Sequence, residues 1–172
     1  MDQLWAPWRL SYVANPRPAA GQEPGDCFLC RGLAAADDRA NLIVARTVSS
    51  VVVLNRFPYN NGHLLIAPKA HKALPDELTS VETLDLQELI RDMMAVLRKR
   101  MSPDGFNVGL NLGRVAGAGL PGHLHWHLVP RWHGDTNFMP VLTDTRVIVQ
   151  SLDALYDLLR EEPAPLPPPA TL

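Results

Sequence analysis

Charge is sparse and nearly balanced in this chain. Only 20% of its 172 residues are Asp, Glu, Lys or Arg, and 16 basic side chains against 18 acidic ones leave a net charge of −2. A protein that coats duplex nucleic acid needs a basic surplus to displace counterions, and none is present. Aromatics are few, at 6%. No apolar run approaches the roughly 20 residues of a membrane span, and the opening MDQLWAPWRLSYV lacks the unbroken apolar stretch of a secretory signal. The chain is therefore expected to stay in the cytoplasm, with neither nucleic acid nor membrane as a partner. Cysteine occurs only at Cys27 and Cys30. In a reducing compartment that spacing points to a metal site or a redox pair before a structural disulfide, with unmetallated thiols as the plain alternative.

What is abundant is apolar side chain, 47% of the total, enough for one cored domain. Proline punctuates both ends. Residues 1–25 read as an arm carrying Trp5, Pro7, Trp8 and Tyr12 followed by a Pro-rich connector; 26–161 as the folded domain; 162–172 as a Pro-rich tail. Two tryptophans near a terminus are costly to leave wet, so the arm is expected to dock on the domain or on a second subunit. Asn41–Arg46 and Val51–Asn55 are β-branched runs, and the turn cluster Arg56–Gly62 leads to a third strand, His63–Pro68. Thr79 and Glu82 make a capping box. Leu86, Leu89, Ile90, Met93, Met94, Leu97 and Met101 then recur at helical spacing until Ser102-Pro103-Asp104-Gly105 stops the helix. Phe106–Leu112 alternates as a strand, Gly113–Gly122 is a glycine-rich loop, His123–Pro130 alternates again, and Val147–Arg160 is a second helix with Leu152, Leu155, Tyr156 and Leu159 on one stripe. Strands with two helices to one side predict an α+β domain with a mainly antiparallel sheet.

All six histidines lie between positions 63 and 133, and His123, His125 and His127 are spaced by two. On a strand they would share one face, about 6.6 Å apart, with Leu124, Trp126 and Leu128 turned to the core. One histidine on a strand is ordinarily a satisfied, half-buried side chain. Three in register each need a partner of their own, which points to a site. A hydrolytic metal site usually recruits a carboxylate, and no Asp or Glu falls between Asp104 and Asp135. That stretch holds Asn107, Asn111, Arg114, Arg131 and the glycine loop instead, a composition suited to binding phosphate. Trp126 reads as core rather than base-stacking, Trp132 as either, and His133 as an exposed or substrate-rim residue.

The segment His123-Leu-His125-Trp-His127-Leu-Val129 resembles the His-x-His-x-His-x-x signature of the histidine triad superfamily. Asn55-Arg-Phe-Pro-Tyr-Asn-Asn-Gly-His63-Leu-Leu-Ile-Ala-Pro-Lys-Ala-His71 is similar to the strand–turn–strand of that family, where an Asn meets the ribose. The likeness spans roughly Cys27 to Trp132. The flanks Leu4–Arg9 and Pro130–Phe138 resemble the bacterial diadenosine tetraphosphate phosphorylase branch. The resemblance implies an antiparallel five-stranded sheet with two helices, dimerising into a continuous sheet. It also implies nucleotidyl transfer through a covalent histidine: phosphorolysis of diadenosine tetraphosphate to ATP and ADP, with inorganic phosphate as co-substrate. Hydrolysis of the same compounds, hydrolysis of nucleoside phosphoramidates, and a nucleotide-binding regulatory protein are the alternatives.

Carried over by position, His125 becomes the nucleophile, with His127 and His63 supporting it and contacting phosphate oxygens. Asn55 would hold ribose hydroxyls, while Asn111 and the amides around Gly117 and Gly119 face the phosphates. The resemblance further implies a structural zinc held by Cys27, Cys30, His71 and His123, a closed tetrahedral set. One departure stands out. The hydrolase branch commonly has Gln four residues before the first triad histidine, where this chain has Gly119, and the smaller residue leaves room for inorganic phosphate.

Overall fold

The computed structural model describes residues 23–135 and 150–160. The Trp5/Trp8 arm, residues 147–149 of the expected second helix, and the Pro-rich tail lie outside the described residues. Five strands, β1 (Ile43–Arg46), β2 (Ser50–Leu54), β3 (Leu64–Pro68), β4 (Gly105–Leu110) and β5 (Trp126–Arg131), form one antiparallel sheet in the order β1-β2-β3-β5-β4. Three helices, α1 (Phe28–Ala34), α2 (Ser80–Met101) and α3 (Leu152–Arg160), complete the α+β domain.

The central strands SVVVL and LLIAP are buried at every position, as near-continuous apolar runs must be when both sheet faces are covered. Alternation divides them. Val52, Leu54, Leu64, Ile66 and Leu128 meet Leu86, Leu89, Ile90, Met93 and Leu97 of α2 and Leu155 and Tyr156 of α3. Val51, Val53, Leu65 and Ala67 face the other way, against Cys27, Leu29 and Leu120. Met93 and Leu97 are thus consumed by the core and offer no surface for a second subunit.

The α2 helix starts where its capping box predicts: the Thr79 hydroxyl accepts from the Glu82 amide and the Glu82 carboxylate accepts from the Thr79 amide. It ends at Ser102, which is left-handed at φ 48°. The indole Nε1–H of Trp132 donates to the Met101 and Ser102 carbonyls, so this tryptophan closes the end of a helix.

Three expectations need correction. No helix is expected from the sequence ahead of β1, yet α1 forms there and Leu29 anchors it at 2% exposure. The fourth strand stops at Leu110 and lies on the sheet edge, with Asn107, Val108 and Gly109 exposed. The fifth begins at Trp126 rather than His123. Before Trp126 the ladder with β3 is replaced: the Leu124 amide donates to the Lys72 carbonyl, and the Pro68 carbonyl is taken by the His123 ring instead of a backbone amide.

Candidate active site

The β2–β3 connection brings Asn55 and His63 face to face, with the Asn55 amide donating to the His63 carbonyl at 3.0 Å. Gly62 turns the chain at φ +75°, a conformation that favours glycine. His63 is then delivered into the interior at 1% exposure, and β5 places His127 beside it. His125 and His123 precede β5, outside its ladder, and are buried at 7% and 0%. The triad is therefore split. His125 and His127 stand edge-on with ring centroids 5.1 Å apart, while the His123 ring turns away to the two cysteines.

Backbone groups decide the proton on each ring, since an amide only donates and a carbonyl only accepts. His125 Nδ1 lies 2.8 Å from the His123 carbonyl, so Nδ1 carries the proton and Nε2 keeps its lone pair. His63 Nδ1 accepts from the Tyr59 amide at 3.0 Å, so its proton is on Nε2. That Nε2–H donates to His127 Nδ1 at 2.9 Å, which leaves the His127 proton on its own Nε2. The Phe57 amide donates to Asn55 Oδ1 at 3.0 Å, which orients Asn55 so that its Nδ2 also donates to His63 Nδ1, at 3.1 Å. Asn111 Nδ2 lies 3.4 Å from His127 Nε2, and with a proton on that nitrogen two donors would meet, so the Asn111 amide is assigned the turned orientation that sets its oxygen there.

Burial keeps these rings neutral. Desolvation, aided by the neighbouring imidazoles, pushes His63 down to about 3 and His127 down to about 4, and desolvation lowers His125 as well. Near pH 7 the site thus holds one bare nitrogen, on His125, beside one outward N–H, on His127. The ring of Tyr59 lies over the pair, stacked on His127 at 5.5 Å and 21° and tilted against His63 at 4.6 Å. Nothing in the motif spacing marks Tyr59; its aromatic character inside a turn cluster was the one available signal.

Cys27, Cys30, His71 and His123 converge, with their ligand atoms all within 4.8 Å of one another. Cys27 Sγ is 3.2 Å from His123 Nδ1, and Cys30 Sγ is 3.2 Å from His71 Nδ1. His123 Nε2–H is spent on the Pro68 carbonyl at 2.8 Å, so the Nδ1 lone pair faces the sulfurs. Burial first, then the hydrogen bond from Cys27, pushes the Cys30 thiol up to about 11. Two sulfurs and two ring nitrogens closing on one point fit a tetrahedral metal ion, whose charge would favour the thiolates.

The phosphate-side residues are distributed differently from the expectation. Asn111 is at the triad, as placed by the preceding β4. The Gly117 amide is committed to its own turn, donating to the Arg114 carbonyl at 2.9 Å. Gly119 is exposed, and a Cβ built on it would meet open space. Arg131 pairs with Asp135 at 2.6 Å and donates to Asn107, outside the triad. His133 is exposed and lines an open cavity of about 610 Å³ with Asn61, Arg100 and Trp132, and no triad histidine borders it. Among the described residues no helix is long and apolar enough to cross a membrane.

The fold and this histidine arrangement define a class, and the comparisons agree with it. Residues 38–134 match the model of the HIT domain, and the chain belongs to that family. It is 37% identical over 166 residues to the AP-4-A phosphorylase of Mycobacterium tuberculosis, covering 94% of this chain and 84% of that protein. It is 30% identical to the adenosine 5'-monophosphoramidase hnt1 of Schizosaccharomyces pombe, over 61% of this chain and 74% of that one. Among solved structures, a Zn-bound histidine triad family protein from Mycobacterium smegmatis superposes with a TM-score of 0.64 at 22% identity, covering 80% and 93% of the two chains.

Proposed function

We propose that this chain is a nucleotidyltransferase that cleaves dinucleoside polyphosphates, diadenosine tetraphosphate above all, by phosphorolysis to ATP and ADP. The observation that carries this reading is His125, whose Nδ1–H is held by the His123 carbonyl so that a buried, neutral Nε2 keeps its lone pair. A neutral imidazole is a competent nucleophile and a good leaving group from a phosphoramidate, which divides one hard displacement into two easier ones. In the first step Nε2 bonds to the α-phosphorus while the P–O bond to ATP breaks and ATP leaves with the electron pair. In the second an oxygen of inorganic phosphate bonds to that phosphorus and the N–P bond breaks, giving ADP and free His125. His127 Nε2–H and Asn111 would hold phosphate oxygens, since the chemistry asks mainly for positioned donors and both groups stand beside the His63–His127 pair. Asn55 Oδ1 retains a second lone pair for a ribose hydroxyl. The open space at Gly119 supports entry of phosphate, and the name of the mycobacterial relative points the same way.

Cys27, Cys30, His71 and His123 would hold a structural zinc, which would supply charge to stabilise the two thiolates and tie α1 to the segment preceding β5. The β4 edge, unpaired among the described residues and with Val108 45% exposed, supports a homodimer joined edge to edge. The free thiols are consistent with work in the cytoplasm.

Incubation with diadenosine tetraphosphate tests the reading directly. ATP plus ADP formed only with phosphate is the expected result, and His125→Ala should abolish it. Acid-labile label from α-³²P substrate should accumulate on wild-type protein when phosphate is omitted. ATP plus AMP without phosphate would make the protein a hydrolase. Turnover of an AMP phosphoramidate alone would make it a phosphoramidase, and tight adenine-nucleotide binding without turnover would make it a regulatory binder.

A further inference from the structure

The hydrogen bonds around His63 have a direction, and that direction constrains what His127 can do. His63 and His127 hold one ring proton each, and both protons run outward: His63 Nε2–H to His127 Nδ1, then His127 Nε2–H toward the site. For His127 to surrender its outward proton, its Nδ1 must take the one from His63. His63 must then recover a proton at Nδ1. The groups that meet Nδ1 are the Tyr59 backbone amide at 3.0 Å and the Asn55 side-chain amide at 3.1 Å, and neither is an acid in water. The other route, an imidazolium on either ring, is opposed by burial and by the neighbouring imidazoles. Asn111, at His127 Nε2, supplies no proton either.

We infer that His127 is a fixed hydrogen-bond donor that holds a phosphate oxygen without protonating it, and that Asn55 and Tyr59, by ending the relay in amides, make the site selective for nucleotidyl compounds whose leaving group departs as an anion. Phosphoanhydrides are of that kind; amines and weakly acidic alcohols are not. This inference rests on the nucleotidyl-transfer reading and names its substrate class by leaving group. The first step balances without a proton: the N–P bond forms, the P–O bond breaks with its electron pair, and the leaving group carries the charge away to be protonated by water. Asn55 and Tyr59 are positioning residues here, acting through His63.

Two aryl esters of AMP test it, because they share the adenylyl half and differ only in the leaving group. The p-nitrophenyl ester releases a stable anion, and the phenyl ester needs help. Wild type should turn over the first far faster, with no solvent deuterium isotope effect on the second. Asn55→Asp sets a carboxylate against His63 Nδ1, which stabilises an imidazolium and completes a proton supply. It should raise the phenyl ester relative to the p-nitrophenyl ester by ~10²-fold, the low end of what a positioned general acid contributes; the ratio cancels any change in ribose binding. A structural lesion would slow both esters alike. Tyr59→Phe keeps the amide and the ring and should leave the ratio where it is. ¹⁵N NMR of the imidazoles gives a readout apart from turnover: His63 should be protonated at Nε2 and bare at Nδ1 in wild type, and protonated at Nδ1 in Asn55→Asp. Near-equal rates on the two esters in wild type, an isotope effect of two or more, or a His63 Nδ1–H in wild type would overturn the inference. If neither ester adenylylates the protein, the transfer reading falls, and the NMR result still decides the relay.

Discussion

The proton position on His63, His125 and His127 follows from the backbone groups and rings that their nitrogens meet. His125 and His127 are two residues apart on the same segment, yet one presents a lone pair and the other an N–H, because one ring faces a carbonyl and the other faces a ring whose tautomer an amide has already set. The same burial has a consequence for stability. The unfolded chain takes up protons on its histidines near their ordinary value of 6.5, whereas folded His63 and His127 resist until about 3 and about 4. Between those values the unfolded state binds more protons, so stability is complete above about pH 6.5 and falls progressively as the pH drops toward 4. Melting temperatures across that range should show the decline. His63→Gln, which does not titrate, should flatten it even though it is less stable at pH 7; an unchanged slope would contradict the assignment.

At the level of elements, local signals and long-range ones part company. The capping box of α2 is legible because its donors and acceptors lie three residues apart. The start of β5 is not, since it depends on Lys72 and Pro68, more than 50 residues upstream, taking the hydrogen bonds that would have extended the ladder. The helix α1 escaped notice for a related reason: it is short, and Leu29 matters only because β1 to β3 provide a face to cover it. The turn between β2 and β3 is the element on which the site leans hardest. A Cβ at Gly62 would lie 3.0 Å from Pro130 Cγ and 3.1 Å from Met101 Sδ, with the backbone at a φ that side chains disfavour. Gly62→Ala should therefore cost about 1–3 kcal/mol in denaturant unfolding. It should also lower turnover beyond that loss, because Asn55, Tyr59 and His63 all hang on this turn.

For the molecule as a whole, His123 is the joint between two sites. Its ring belongs to the Cys27/Cys30/His71 cluster and its carbonyl aims His125. Metal analysis should find about one zinc per chain, since a closed Cys₂His₂ set binds with folding free energy. Cys27→Ser should lower the melting temperature by many degrees and carry turnover of the nucleotide substrate down with it; a metal-free protein of unchanged stability would rule the site out. The β4 edge makes a second molecular-scale prediction. Light scattering should report twice the 19.0 kDa chain mass, and Val108→Lys, a charge on the exposed edge, should shift the protein toward monomer.

Sequence alone determined the elements whose code is local: alternating strands, the amphipathic α2 with its cap, the cysteine pair, and the histidines spaced by two. It also brought the candidate metal ligands and the triad into view through family likeness. What the tertiary structure decided is which atom each side chain meets. Whether Nδ1 or Nε2 carries a proton depends on an amide or carbonyl within about 3 Å, and those groups come from Tyr59 for His63, and through His63 for His127, 64 residues further along the chain. Spacing along a chain records which face a residue takes. It does not record the donor or acceptor that folding sets against it, and for an imidazole that choice separates a nucleophile from a hydrogen-bond donor.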